Sequence, residues 1–219
     1  MSGFPGSPRL VKGGIVLVDP DSSAIKKVIP LQYNPDTLTR TLQVQGSGGD
    51  AGAHSEVLRL KGPPVESIKL DAELDASDQL EHADDNPTTV QLGLHPQLAA
   101  LETMIYPTVQ SIQTNKSLAE SGVLEIIPAV APLTLFVWSR TRVVPVRITE
   151  LSITEEAFDP ALNPIRAKVS LGLRVLNVND LGYYGKAASI YLVHHQQKEQ
   201  LAARGLQGVL SQLGITGLP

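Results

Sequence analysis

Cysteine is absent from the 219 residues of this chain. Without thiols the protein cannot form disulfides, thiolate zinc sites, iron–sulfur clusters or a cysteine nucleophile. Long hydrophobic runs are also missing, since no apolar stretch approaches the roughly 20 residues that span a bilayer. Residues 1–12 contain no apolar segment of signal-peptide length. We therefore expect a fold held by packing and hydrogen bonds, with no membrane span and no cleaved export signal.

Positive charge is in slight deficit, with 18 Lys and Arg against 22 Asp and Glu. A dedicated nucleic-acid binder displaces counterions with clustered basic residues, so nucleic acid is not an expected partner. Acidic residues gather between Asp71 and Asp85, whereas basic residues enrich the later strands: Arg140, Arg142, Arg147, Arg166, Lys168 and Arg174. Either the two regions face each other across a subunit boundary or both are solvated surfaces.

Short apolar and β-branched runs predict antiparallel strands. In the first half they cover residues 13–18, 28–33, 38–44 and 66–74, and the last of these alternates apolar with charged residues. In the second half they cover residues 133–138, 146–153 and 166–176. The apolar phase shifts within the middle one, which predicts a β-bulge near Thr149-Glu150. Residues 46–53 are glycine-rich and predict a flexible loop.

Helical patterns are fewer. His95-Pro96 begins a helix with one apolar stripe, and Tyr106-Pro107 ends it. Residues 108–122 are polar and fit either a helix or a surface loop. After Asn179 the chain is helical in character and is broken near Gly205, and the last helix carries an apolar stripe: Leu206, Val209, Leu210 and Leu213.

These elements predict an α+β, mainly β fold with one large domain. We divide the chain into a flexible N-terminus at 1–12, a domain at 13–177 and a helical C-terminal extension at 178–219. The domain length is within the range that a single hydrophobic core supports.

Residues suited to catalysis or metal binding are poorly placed. His194-His195 is the best metal candidate, yet adjacent residues on a helix point about 100° apart. The carboxylate pairs Asp84-Asp85 and Glu155-Glu156 lie in no motif that imposes a shared site. Nucleotide-binding and nucleophile-elbow motifs are absent. We therefore expect no enzymatic activity, no metal and no cofactor.

Two blocks carry a family resemblance. The first is IPLQYNPDTLTRTLQV at residues 29–44, and the second is the stretch from Phe136 to Leu176, which includes TEEAFDPALNPIRAKVSL. Together with the helix that ends in Tyr106-Pro107, they resemble the tube-initiator or inner baseplate proteins of contractile, phage-tail-like injection systems. The resemblance implies a tail-tube fold, in which a pair of packed antiparallel sheets carries a flanking helix.

The same resemblance implies how copies assemble. Six copies would join strands into a barrel around a lumen, between the spike hub and the inner tube, and would template tube assembly. The implied partners are the hub, inner tube, other baseplate proteins and the sheath, in a particle assembled in the cytoplasm and either retained or released on lysis. Longer relatives carry a C-terminal LysM-like module, for which residues 178–219 are too short.

Turn geometry and interface charge are the candidate functional features. Proline fixes its own φ and restricts the residue before it, so both Asn-Pro pairs shape turns. Charged residues beside the second pair are placed to form ion pairs within a subunit or between subunits. The candidate structural or interface residues are Tyr33, Asn34, Pro35, Arg40, Glu155, Glu156, Asn163, Pro164 and Arg166.

Two other functions stay open from the sequence. One is an inner tube or tail-terminator subunit of the same machine, and a tube protein would polymerise alone into long stacks. The other is a monomeric β-rich module that binds carbohydrate or peptide, which ligand would stabilise against heat.

Overall fold

The structure is a computed structural model that describes residues 11–20, 22–46, 59–121, 131–181, 185–205, 208 and 210–213. Its centre is a seven-stranded sheet in the order β2-β1-β5-β6-β7-β4-β3, and each neighbouring pair is antiparallel. The strands are β1 (Gly14–Val18), β2 (Ile25–Pro30), β3 (Leu38–Gln43), β4 (Val65–Asp75), β5 (Leu133–Ser139), β6 (Arg142–Phe158) and β7 (Pro164–Val175).

The sheet curls until its two halves meet. Gln32, just beyond β2, donates its side-chain amide to the carbonyl oxygen of Asp75 at the end of β4 (2.6 Å) and accepts from the Asp75 N–H (2.9 Å). The seven-stranded antiparallel sheet and its accompanying helices confirm the predicted α+β, mainly β class. The expected pair of packed sheets is, however, two halves of one sheet, because the ladder continues unbroken from β5 through β6 to β7.

Strand alternation places the core as the sequence predicts. Five residues of β7 face inward and are at most 3% exposed: Ala167, Val169, Leu171, Leu173 and Val175. Elsewhere in the core, Ile68 of β4, which pairs with Leu173, and Phe136 of β5 are each 1% exposed. Between the inward residues of β7, Arg166, Lys168 and Ser170 are exposed, so the strand has one apolar and one polar face.

The predicted bulge is confirmed. The β6–β7 register shifts between Ile148 and Glu150, and Glu150 lies opposite Gly172. A Cβ atom on Gly172 would lie 3.0 Å from the Glu150 Cβ, so the glycine makes room for the bulged strand. The shift restores apolar residues to the inner face beyond it.

Several boundaries differ from the predicted ones. The second strand covers Ile25–Pro30 instead of 28–33, because its ladder with β1 pairs Val18 with Ile25 and Gly14 with Pro30. The sixth strand is far longer than 146–153, since pairing with β7 continues to Phe158. Strand length here depends on the partner strand as well as on local pattern.

The helices are α1 (Ser77–Glu81), α2 (Pro87–Leu92), α3 (His95–Glu102), α4 (Val109–Glu120), α5 (Val178–Leu181) and α6 (Lys186–Ala203), with 3₁₀ turns at Ala83–Asp85 and Leu210–Leu213. The helix expected to end at Tyr106 ends at Glu102. The polar segment at 108–122, for which the sequence allowed a helix or a loop, contains helix α4. Its N-cap Thr108 accepts a hydrogen bond from the Ser111 N–H (3.1 Å). The predicted break near Gly205 follows α6.

Some predictions fall outside the described residues. These are most of the N-terminus at 1–12 and of the glycine-rich loop at 46–53, and Leu206 and Val209 of the final stripe. Where a last helix was expected, the described part holds the short 3₁₀ turn at Leu210–Leu213. The division at residues 12 and 177 stays a prediction.

Candidate assembly interface

The sheet ends in two edge strands, β2 and β3. Within the described residues each pairs on one side only, so its other side presents unpaired backbone groups. Exposed apolar side chains accompany both edges: Ile25 and Val28 on β2 are 67% and 57% exposed, and Leu42 on β3 is 48% exposed. Such edges are templates for pairing with a further strand.

The Tyr33-Asn34-Pro35 block closes one end of the sheet. The Asn34 Oδ1 accepts from the Gly13 N–H (2.9 Å), and its Nδ2 donates to the Val11 carbonyl oxygen (2.8 Å). The side-chain amide therefore extends the β1–β2 ladder beyond the Leu31 N–H, which donates to the Gly13 carbonyl (2.8 Å). Asn-Pro chemistry here stabilises the fold of one chain, and Tyr33 remains 45% exposed.

We expect Asn34→Ala to lower the free energy of unfolding by about 1 kcal/mol, because two backbone groups lose their partners. Asn34→Asp is expected to cost less than Asn34→Ala, since a carboxylate still accepts from the Gly13 N–H but cannot donate to the Val11 carbonyl. Urea titration followed by circular dichroism measures both. Gln43→Ala is the matched control, because the exposed Gln43 side chain makes no hydrogen bond within the described residues. Equal stability of the wild type and all three variants would contradict this stabilising role of the Asn34 side chain.

Arg40 lies in an ion triad around a buried carboxylate. Glu66 is 5% exposed, and its Oε1 accepts from the Arg40 Nε at 2.7 Å. Its Oε2 accepts from Lys198 of α6 at 3.0 Å. Burial raises the pKa of Glu66, but hydrogen bonds and charge from Lys198 and Arg40 outweigh it and hold the pKa below its ordinary value. The triad ties α6 to the β3–β4 edge, and the interface role of Arg40 stays a prediction.

Charged residues on the outer face pair within the chain. Arg166 binds Asp75 (3.0 Å) and Lys168 binds Glu156 (3.2 Å). The sequence left open whether such charged residues pair within a subunit or between subunits. Arg166 and Glu156 each pair within one chain. Glu155, by contrast, is exposed and forms no ion pair within the described residues.

The turn between β6 and β7 is held by Asp159. Its Oδ1 accepts from the N–H groups of Ala161 and Asn163 (each 2.8 Å), and its Oδ2 accepts from the Asn163 Nδ2 (2.8 Å). Hydrogen bonds from Asn163, mainly through its side chain, lower the pKa of Asp159. Asn163 also donates to the Gln91 carbonyl (3.1 Å), and Pro164 is fully buried. The second Asn-Pro pair therefore locks the turn against α2.

This turn exposes two large apolar side chains that motif reasoning missed. Phe158 is 50% and Leu162 is 75% exposed, and Leu162 has φ 66°. A positive φ on leucine is strained and persists where the surroundings impose it. The available signal was an aromatic residue directly before Asp159-Pro160 and a leucine between that pair and Asn163-Pro164.

Metal-binding geometry is not found in the part of the chain that is described, where no three His, Cys, Asp or Glu side chains could hold a metal ion. His194 is buried, with its Nδ1 3.3 Å from the Thr141 carbonyl oxygen. His195 lies instead beside Glu199, with 3.4 Å between Nε2 and Oε1. The two imidazoles diverge, as helix geometry predicts. Among the described helices, none has the length and apolar character of a membrane span.

Known proteins give little guidance. No family model matches the sequence, and no curated protein matches it significantly. A solved structure of the tail of an empty GTA particle, determined with helical refinement and C6 symmetry, contains a similar chain. The likeness covers 75% of this chain and 90% of that chain, with 11% identity and a TM-score of 0.29. A TM-score this low supports no conclusion about fold or function.

Proposed function

We propose that this protein is a structural subunit of a phage-tail-like contractile injection system and not an enzyme. In this proposal six copies form a ring that connects the spike hub to the inner tube and templates tube assembly. Two features support it. The sequence blocks around Asn34-Pro35 and at residues 136–176 resemble tube-initiator proteins, and the sheet ends in two edges able to accept a further strand.

The observation that carries the proposal is the pair of edge strands, β2 and β3, each of which has a strand partner on one side only in the described part of the chain. A contact between β3 of one copy and β2 of the next uses different surfaces on the two partners. Such a heterologous contact repeats around a ring when its rotation closes. Closure also removes every exposed edge, which otherwise promotes uncontrolled association. Proposed partners are a second copy, the spike hub, the inner tube, other baseplate proteins and the sheath.

Edge variants test the ring. We expect native mass spectrometry of the full chain to show six copies, and Val28→Lys or Leu42→Lys to shift the mass to one copy, because each places a charge on an edge strand. Val109→Lys is the control, since Val109 is 70% exposed and belongs to α4, which is part of neither edge strand. Circular dichroism checks that each variant is folded.

The machine itself supplies the second test. Electron microscopy of the protein assembled with its genomic neighbours is expected to show six-fold density at the junction of tube and spike. A chain that stays monomeric at all concentrations, is absent from sheathed particles, and melts at a higher temperature with an added carbohydrate or peptide would overturn the proposal.

A further inference from the structure

A cavity of about 520 Å³ lies between the start of β5, the first half of β6 and the first turn of α6. Small-molecule sites in proteins commonly have volumes of roughly 300–1,000 Å³. The buried part of the lining is apolar, since Val146, Ala188 and Met104 are 2%, 1% and 9% exposed. None of the lining residues belongs to β2 or β3, so the cavity is separate from the proposed ring contacts.

The charged side chains that line this cavity are both cations. They are Arg147 of β6 and Lys186 of α6, and no acidic side chain is found among the described lining residues. Both cations are exposed, and neither takes part in an ion pair within the part of the chain that the structure describes. We call these two residues the cationic rim. The cavity therefore combines a buried apolar interior with positive charge on its solvent side.

The surroundings of Arg147 favour an added negative charge. Arg147 lies directly opposite Arg174 in the β6–β7 ladder, and like charges that face each other across a ladder are destabilising. Asp180 pairs with the Arg174 guanidinium (2.7 Å), whereas Arg147 has no carboxylate partner among the described residues. An anion bound at the cationic rim would offset the repulsion between the two arginines.

Volume and chemistry together define the ligand. At roughly 30 Å³ per carbon, which is close to the volume share of one liquid water molecule, a chain of about twelve carbons needs about 360 Å³. One such chain fits within 520 Å³, whereas the two long chains of a bilayer lipid do not. The planar arginine guanidinium matches the geometry of a carboxylate. A single-chain alkyl carboxylate therefore satisfies both parts of the cavity.

We propose that this cavity binds a free fatty acid of medium chain length. The alkyl chain packs against Met104, Val146 and Ala188, and the carboxylate lies against Arg147 and Lys186. The inference goes beyond the proposed function and does not rest on it, because a single copy contains all of the residues that form the site.

Isothermal titration calorimetry of the full chain tests the ligand, with sodium dodecanoate as the probe at concentrations below those at which it forms micelles. We expect one dodecanoate to bind per chain. Decanoate should bind about fifteenfold more weakly, because each buried methylene group contributes about a fourfold change in affinity. Dodecyltrimethylammonium has the same chain with the opposite charge, and we expect it to bind at least tenfold more weakly than dodecanoate.

Variants of the rim and of the interior separate charge recognition from chain burial. Arg147→Glu and Lys186→Glu should each weaken dodecanoate binding about tenfold, as expected for loss of a charge-assisted hydrogen bond. Both should bind neutral 1-decanol like the wild type, which shows that the cavity is intact. Ala187→Trp should block both ligands, because half-buried Ala187 lines the cavity. Lys61→Glu is the control, since exposed Lys61 is not part of the lining.

Other occupants of the cavity give different results. If another part of this chain or a second copy fills it, dodecanoate is excluded and the titration shows no binding, which would overturn the proposal. Flotation with phosphatidylglycerol vesicles is expected to leave the full chain unbound, and vesicle binding without uptake of dodecanoate would identify a membrane surface instead. Equal affinity for dodecanoate and dodecyltrimethylammonium, or wild-type binding by both Arg147→Glu and Ala187→Trp, would also overturn the proposal.

Discussion

Replacing Glu66 with glutamine is expected to lower the free energy of unfolding by about 3 kcal/mol, the typical cost of removing one member of a buried ion pair. The substitution keeps the shape of the side chain but removes its charge. Arg40 and Lys198 would then face each other at a site where the carboxylate side chain is only 7% exposed. The substitution lowers the stability of the whole fold because Glu66 joins β4 to both β3 and α6.

Denaturant unfolding as a function of pH tests this expectation. Because the folded pKa of Glu66 lies below its ordinary value of 4.5, its ionised form stabilises the fold above pH 4.5, and that contribution is lost as the pH falls through the folded pKa. The difference between wild type and Glu66→Gln should therefore be full at neutral pH and shrink in acid. A difference that does not change with pH would be evidence against the triad.

Glu150→Gln is the matched control for charge removal. Glu150 faces Lys69 at 3.8 Å, and both side chains are more than 60% exposed, at 64% and 73%. Exposed ion pairs of this kind contribute less than about 1 kcal/mol. If Glu150→Gln and Glu66→Gln lowered the free energy of unfolding by similar amounts, burial would not strengthen the Glu66 ion pairs.

Gly93→Ala is expected to destabilise the protein by about 4 kcal/mol, through backbone strain together with overpacking. Gly93 joins α2 to α3 with φ 54° and ψ −133°, a conformation that essentially only glycine adopts. A Cβ atom there would lie 2.5 Å from the Pro164 carbonyl oxygen. That oxygen accepts from the Leu94 N–H (2.9 Å), so the helices cannot shift away without breaking the bond.

Thermal and urea unfolding of Gly93→Ala should be compared with Gly46→Ala. Nothing lies within 4 Å of a Cβ atom at Gly46, and we expect that change to stay within about 0.5 kcal/mol of wild type, as for other surface substitutions. A Gly93→Ala variant as stable as the wild type would contradict the close packing of α2 and α3 on the β6–β7 hairpin.

Much of the sheet follows from sequence because its signals are local. Alternation in β7 and β4 predicts both strands and their inward residues, since successive side chains on a pleated backbone point to opposite faces. The shift of phase near Glu150 predicts the bulge for the same reason. Proline at the start of α3 predicts where that helix begins, because its fixed φ suits a first helical turn.

The candidate interface was only partly predictable. The Asn-Pro pairs were recognised as turn signals, but which backbone groups Asn34 and Asn163 bind depends on chain segments far away in sequence. Exposed apolar residues at the β6–β7 turn and on the edge strands have no local signature, since leucine and phenylalanine ordinarily indicate a core. They become candidate contacts only once the strand order leaves them outside.

By itself the sequence determined the mainly β class, the alternating core strands, the bulge and the lack of thiol chemistry, because each depends on composition or on neighbours along the chain. Only the tertiary structure decided that one curled sheet replaces two, and that β2 and β3 are its edges. It also decided that Glu66 is buried beneath a lysine 132 residues away. Strand order and burial arise from packing between distant segments, which local periodicity does not encode.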